Sequence, residues 1–167
     1  GFRDDYKVIG KGSVGIIPIP VIIFLVIIAV GIVLLNLSKF GRHVLAVGGN
    51  EKAAIVSGIH VAGVKFSCYV LSGITSAIAG IILSSRIQTG QPVAGEGYEL
   101  DAITAVVIGG ASLSGGSGSI IGTVVGMLVI GVMTNGLDLL NVSSYYQEVI
   151  KGIIILIAVL SDRLKKR

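Results

Sequence analysis

Charge is what this chain has least of. Only 13% of its residues are Asp, Glu, Lys or Arg, against 53% in the apolar set, whereas a soluble domain carries about a quarter charged residues. With a mean hydropathy of +0.94, a chain of 167 residues holds more apolar surface than it can fold away from water. A soluble globular domain is therefore excluded, and a bilayer is left as the solvent. The single cysteine, Cys68, excludes an internal disulfide framework. Pro is scarce, 3 residues against 25 Gly. With no collagen period present, so much glycine reads as close helix packing in a membrane. The net charge of +4 gathers at the ends of apolar runs. It reports topology and is not a nucleic-acid surface.

Chemistry-bearing motifs are also missing. There is no H-E-x-x-H, no paired-cysteine metal spacing and no G-x-S-x-G elbow. The glycine-rich stretch 115–119 lacks the Lys-Ser/Thr of a phosphate-binding loop and no strand precedes it, so no ATP site is legible. These absences leave a membrane protein without a catalytic centre, cofactor or metal. The chain starts at Gly1 and shows no signal-peptide arrangement, which reads as a piece of a longer chain, or a processed or engineered one.

What is present is a series of apolar runs. Residues 16–37 contain no charge, with Pro18 and Pro20 at the start where missing backbone donors are tolerated; residues 1–15 before them read as a loop. Residues 38–65 carry Lys39, Arg42, Lys52 and Lys65 against one acid, Glu51, and so are expected in the cytoplasm. Within that loop Asn50 is a candidate N-cap, Glu51 suits the positive helix start and Gly58 can end a helix. A short helix over 51–57 is expected, with Ile55 and Ile59 on one face.

A second apolar run, 66–83, is dotted with small residues, and 84–101 reads as an outer loop carrying Arg86, Glu96, Glu99 and Asp101. Residues 102–113 are apolar but short. Residues 120–140 and 143–160 are long runs, and the tail is basic. Placing both basic segments inside requires an odd number of crossings after the outer loop. The short run is then expected to cross too, giving an all-α integral membrane protein, a multi-pass transmembrane helix bundle with about five passages in a single domain, 1–167; the alternative is a re-entrant segment at 102–113 with the tail outside, against the positive-inside bias. Gly118, Gly122 and Gly126, four apart, form an expected packing ridge. Lys151 is expected to pair with Glu148 at i+3 and to snorkel toward the interface. Three function classes remain at this point: a transport subunit driven by a partner, a self-contained channel or secondary transporter for a small solute, and a membrane anchor.

Several separated stretches resemble one family. GRHVLAVGGNEKAAIVSGI, from Gly41 to Ile59, looks like the cytoplasmic loop of permease subunits of ATP-binding-cassette importers. QPVAGEGYELDA from Gln91, VIGGASLSGG from Val107 and NGLDLLNVSSYYQ from Asn135 are similar to the ribose-type branch that imports monosaccharides. The match runs over most of 31–161 and resembles the C-terminal part of such permeases.

The resemblance implies a protein of the prokaryotic cell membrane. Its implied partners are cytoplasmic ATP-binding subunits, an extracytoplasmic sugar-binding protein, a second permease subunit in a homodimer, and membrane lipid. It also implies a coupling helix at the positions Gly48, Gly49, Asn50, Glu51, Lys52, Ala53, Ala54, Ile55, Ser57 and Gly58. In that setting Ala53 and Ala54 would fit a groove on the ATPase, with Ile55 as apolar anchor. Gln88, Gln91, Tyr98, Asn135, Tyr145 and Tyr146 are the candidates for a sugar path, because sugars need hydrogen-bonding groups with aromatic surface.

Overall fold

The structure, a computed structural model, describes residues 4–165, with side-chain surroundings for 8–160. It opens with an amphipathic helix α1, Asp4–Lys11, and a small hairpin in which β1, Ser13–Val14, pairs antiparallel with β2, Ile17–Pro18. The stretch expected as a loop at 1–15 thus holds a helix and a strand among its described residues. Its anchor is the Gly10 amide, which donates to Ser85 Oγ at 2.8 Å near the end of a later helix.

Helix α2, Ile19–Ile32, starts with Pro at its first turn, where no backbone donor is required. It continues as a π-helical turn, Val33–Leu37, that ends at Ser38. Ser38 Oγ donates to Leu34 O at 2.6 Å and accepts from Gly41 N at 3.2 Å, closing one helix and capping the next. That next helix is α3, Lys39–Gly49, followed without a linker by the short α4, Glu51–Val56. The long α5, Val61–Ile87, begins five residues before the apolar run that announced it. Gln88 ends it in the left-handed region at φ 58°.

Beyond the turn at 88–97 come α6, Tyr98–Ile108, α7, Ile120–Leu139, and α8, Ser144–Lys165. Helix α6 packs on both α7 and α8, while α5 packs on α1 and α3. Among the described residues three helices are long and apolar enough to cross a membrane: Ile19–Leu37, Val61–Ile87 and Ile120–Leu139. Their 19, 27 and 20 residues correspond to about 28, 40 and 30 Å. The apolar faces of these helices are open to the surroundings, as lipid contact requires: Phe66, Tyr69, Ile121, Leu128 and Val132 are all more than 60% exposed.

Helix α6 differs. Its 11 residues span about 16 Å, half a hydrocarbon core. The expected crossing at 102–113 is helical only as far as Ile108 and is not among the candidate spans; an irregular connector, residues 109–119, leads from it to α7. The connector closes on itself through Ser112 N to Ser117 O at 3.1 Å and Gly115 N to Ser112 O at 3.0 Å. It meets the end of α3, since Gly48 and Gly49 lie against Gly115 and Gly116. The α2–α7 contact at Gly31 and Ile120 lies toward the same end. At the opposite end gather the α1–α5 contact, the start of α8 and the last turn of α7.

Candidate docking loop and polar contacts

The segment expected to carry function is built from local capping. Asn50 Oδ1 accepts from Ala53 N at 3.0 Å, which starts α4, and Glu51 lies in its positive first turn. The helix is closed by Gly58 N donating to Ile55 O at 2.9 Å and Ile59 N donating to Ala54 O at 3.0 Å, with Gly58 at φ 79°. Ser57 Oγ adds a bond to Ala53 O at 2.9 Å. The result, Glu51–Val56, matches the expected 51–57 to within one residue.

Two contacts hold this loop as a unit. Val47, Ala54 and Val61 form a small buried cluster, with Ile59 and Val64 packed against it. Lys65 Nζ pairs with Glu51 at 2.8 Å, tying α4 to α5. Both side chains of that pair are about half exposed, so it stabilises by about 0.2–1 kcal/mol at most.

One expectation needs correction. Ala54 is 4% exposed and faces this cluster, so it cannot enter a groove on another protein. The outward face consists of Lys52, Ala53, Ile55 and Val56, with Ile55 57% and Val56 89% exposed. Val56 was missed because no helical partner on the sequence marked it; its signal is that it stands one residue before the closing Ser57-Gly58 turn. Beside α4, a groove of about 420 Å³ is lined by Phe40, His43, Ser57, His60 and Ser67 among others.

The candidates for a sugar path do not converge. Gln91 lines a cavity of about 440 Å³ with Leu83, Ile87, Thr89 and Pro92, where residues 89–95 fold back along α5. Gln88, the cap of α5, is half-buried beside it. Tyr98 and Asn135 are exposed on α6 and α7, and Tyr145 and Tyr146, 81% and 69% exposed, stand at the start of α8.

Polar contacts between α6, α7 and α8 were not legible. Lys151 does not pair with Glu148 and does not snorkel. It is 6% exposed, and its ammonium lies against Asp101 of α6. Asp101 Oδ1 is buried and makes no well-aligned hydrogen bond, so the contact is one of charge. Nearby, Gln147, 4% exposed, donates from Nε2 to Asp138 Oδ1 at 2.8 Å and to Val142 O at 3.1 Å. This fixes the turn between α7 and α8.

The glycine ridge is real in part. A Cβ on Gly122 would lie 2.1 Å from Gly109 O, and one on Gly126 2.0 Å from Ala105 O. These two glycines let α6 and α7 touch backbone to backbone within one chain. Gly118 is a correction: it precedes α7, belongs to the connector and meets only Ala111 Cβ at 3.5 Å.

Apolar spans, a half-length helix seated on glycines and a capped polar-end loop define a multi-pass helical protein of the cell membrane. Residues 3–159 match the family described as "Branched-chain amino acid transport system / permease component", and the chain belongs to that family. It is 56% identical over 165 residues to the ribose import permease protein RbsC of Bacillus subtilis, covering 99% of this chain and 51% of the relative. It is 47% identical over 151 residues to the xylose transport system permease protein XylH of Haemophilus influenzae, covering 90% and 40%. Against the L-arabinose transport system permease protein AraH of Escherichia coli it is 46% identical over 151 residues, covering 90% and 46%. The chain spans about half the length of the curated relatives it matches. No solved structure matches it significantly.

Proposed function

We propose that this chain forms part of the permease subunit of an ATP-binding-cassette importer that carries a monosaccharide, ribose-like, across the cell membrane. Residues 38–65 are the loop that docks on a cytoplasmic ATPase. The observation that carries this reading is α4, a doubly capped helix on its own small core that presents Ile55 and Val56 outward. Exposed apolar side chains on a rigid polar-end loop suit burial against a protein. The names of the relatives, permeases for ribose, xylose and L-arabinose, support a pentose as cargo. An extracytoplasmic sugar-binding protein and a second permease subunit complete the assembly. A self-powered secondary transporter would instead need an unpaired intramembrane acid or ion site. The acid on α6, Asp101, is paired with Lys151.

Two results are expected. In the full-length permease, Ile55→Asp and Val56→Asp together should reduce co-purification of the ATP-binding subunit and sugar uptake at least tenfold, because each places a charge where apolar surface is buried. Retained docking and uptake would remove α4 from the interface. For topology, with Cys68 replaced by Ser, a cysteine at Gln91 should react with an impermeant reagent added outside intact cells and one at Ser57 should not. Labelling of the Ser57 position from outside would invert the arrangement.

A further inference from the structure

The end of α3 and the α6–α7 connector meet at four glycines, Gly48 and Gly49 against Gly115 and Gly116. A Cβ at Gly48 would stand 2.7 Å from Gly116 N, one at Gly115 2.5 Å from Gly48 O, and one at Gly116 2.7 Å from Gly49 Cα. Gly115 and Gly116 take φ of 88° and 84°, which only glycine adopts freely. A contact made of side chains can yield by changing rotamers, whereas backbone on backbone has no such slack, so a displacement on one side must appear on the other. The connector is braced in turn, through its own loop closure and through the Gly109–Gly122 contact, to α6 and α7. Helix α6 is joined to α8 by Asp101 and Lys151.

We propose that this glycine junction makes the α3–α4 loop and the α6–α7–α8 group move as one piece. Displacement at α4 then reaches those three helices through Gly115 and Gly116, in parallel with the covalent route into α5. Gly48, Gly49, Gly115 and Gly116 are positioning residues for transport. The proposal rests on α4 as the ATPase contact and adds the path beyond it.

The test uses the full-length permease with its ATPase, reconstituted in liposomes, with Cys68 replaced by Ser. Spin labels on cysteines at the exposed Arg42 of α3 and Leu113 of the connector report the distance across the junction. The same distance is expected in the nucleotide-free and ATP-bound states. A distance that changes by more than the label's own spread overturns the proposal. Gly116→Ala pushes a methyl into Gly49, and it is expected to lower uptake at least tenfold while the ATPase stays bound and hydrolyses ATP at the parental rate. Parental uptake in that variant also overturns it. A merely structural role would lower bound ATPase and uptake together. Failure of the unsubstituted permease to retain any ATPase would instead defeat the importer reading.

Discussion

Lys151→Met is expected to destabilise the folded full-length permease by up to about 3 kcal/mol, because it leaves Asp101, whose Oδ1 is buried and whose side chain is 25% exposed, charged with no partner. The depth of the pair makes the effect large. Gly109 stands opposite Gly122 and Ala105 opposite Gly126, so α6 and α7 run antiparallel in steps of four residues. Continuing that step brings Asp101 level with Ile130, midway along α7 (Ile120–Leu139). An unpaired charge at mid-span is costly. Asp101→Leu combined with Lys151→Met removes both charges and is expected to recover most of the loss, since replacing a buried pair with apolar groups is often neutral. Denaturation in mixed detergent, run on the parent, both single variants and the double, gives the coupling as a cycle. Additive losses in the double variant would mean that the two groups do not face each other in the membrane.

Gly126→Leu is expected to separate α6 from α7 and to prevent assembly of a functional permease. Even a methyl at this position would lie 2.0 Å from Ala105 O and 3.0 Å from Gly109 N, and these obstacles are backbone atoms that cannot turn aside. Overpacking typically destabilises by about 1–3 kcal/mol; a leucine against backbone should lie at or beyond the upper end. Gly122→Ala meets Gly109 O at 2.1 Å and should follow closely. Gly118→Ala meets only Ala111 Cβ, at 3.5 Å, an ordinary contact, and should change stability by less than about 0.5 kcal/mol. Membrane yield and denaturation midpoint of the three variants check this order. Equal tolerance of all three would mean that the α6–α7 contact is not formed in the bilayer.

The two ends of the bundle were more legible in the sequence than its middle. Capping is local chemistry: Asn50 beside Glu51 and a Gly58 seven residues on suffice to place α4. The three long spans follow from unbroken apolar runs. The start of α5 was misplaced because Lys65 interrupts hydropathy without interrupting a helix, its charge being carried by Glu51 at the surface. Lys151 was read through its own helix, where Glu148 is the only acid at i−3. Its partner, Asp101, lies fifty positions away on α6, and nothing in helical spacing connects them. Ala54 went astray for a related reason. On a two-turn helix, composition does not tell the face turned to Val47 and Val61 from the face turned outward. Gly118 shares the spacing of Gly122 and Gly126 but not their helix, because Ser119 caps α7 just after it, its Oγ accepting from Gly122 N at 3.2 Å.

Asn50 serves two helices at once. Its amide donates to Ala46 O at 3.0 Å as α3 ends, and its side chain caps α4 as that helix begins. A single extended residue, at φ −155° and ψ 101°, therefore stands where a flexible linker would otherwise give play. Any force on α4 acts as a torque on a rod of 11 residues, about 16 Å long. The elbow has two adjustable angles and no loose chain to take up the stroke. Its stiffness is set by this asparagine together with the Val47–Ala54–Val61 cluster, and, if α4 is the ATPase contact proposed above, lengthening the joint by a glycine would loosen the lever while leaving both helices folded.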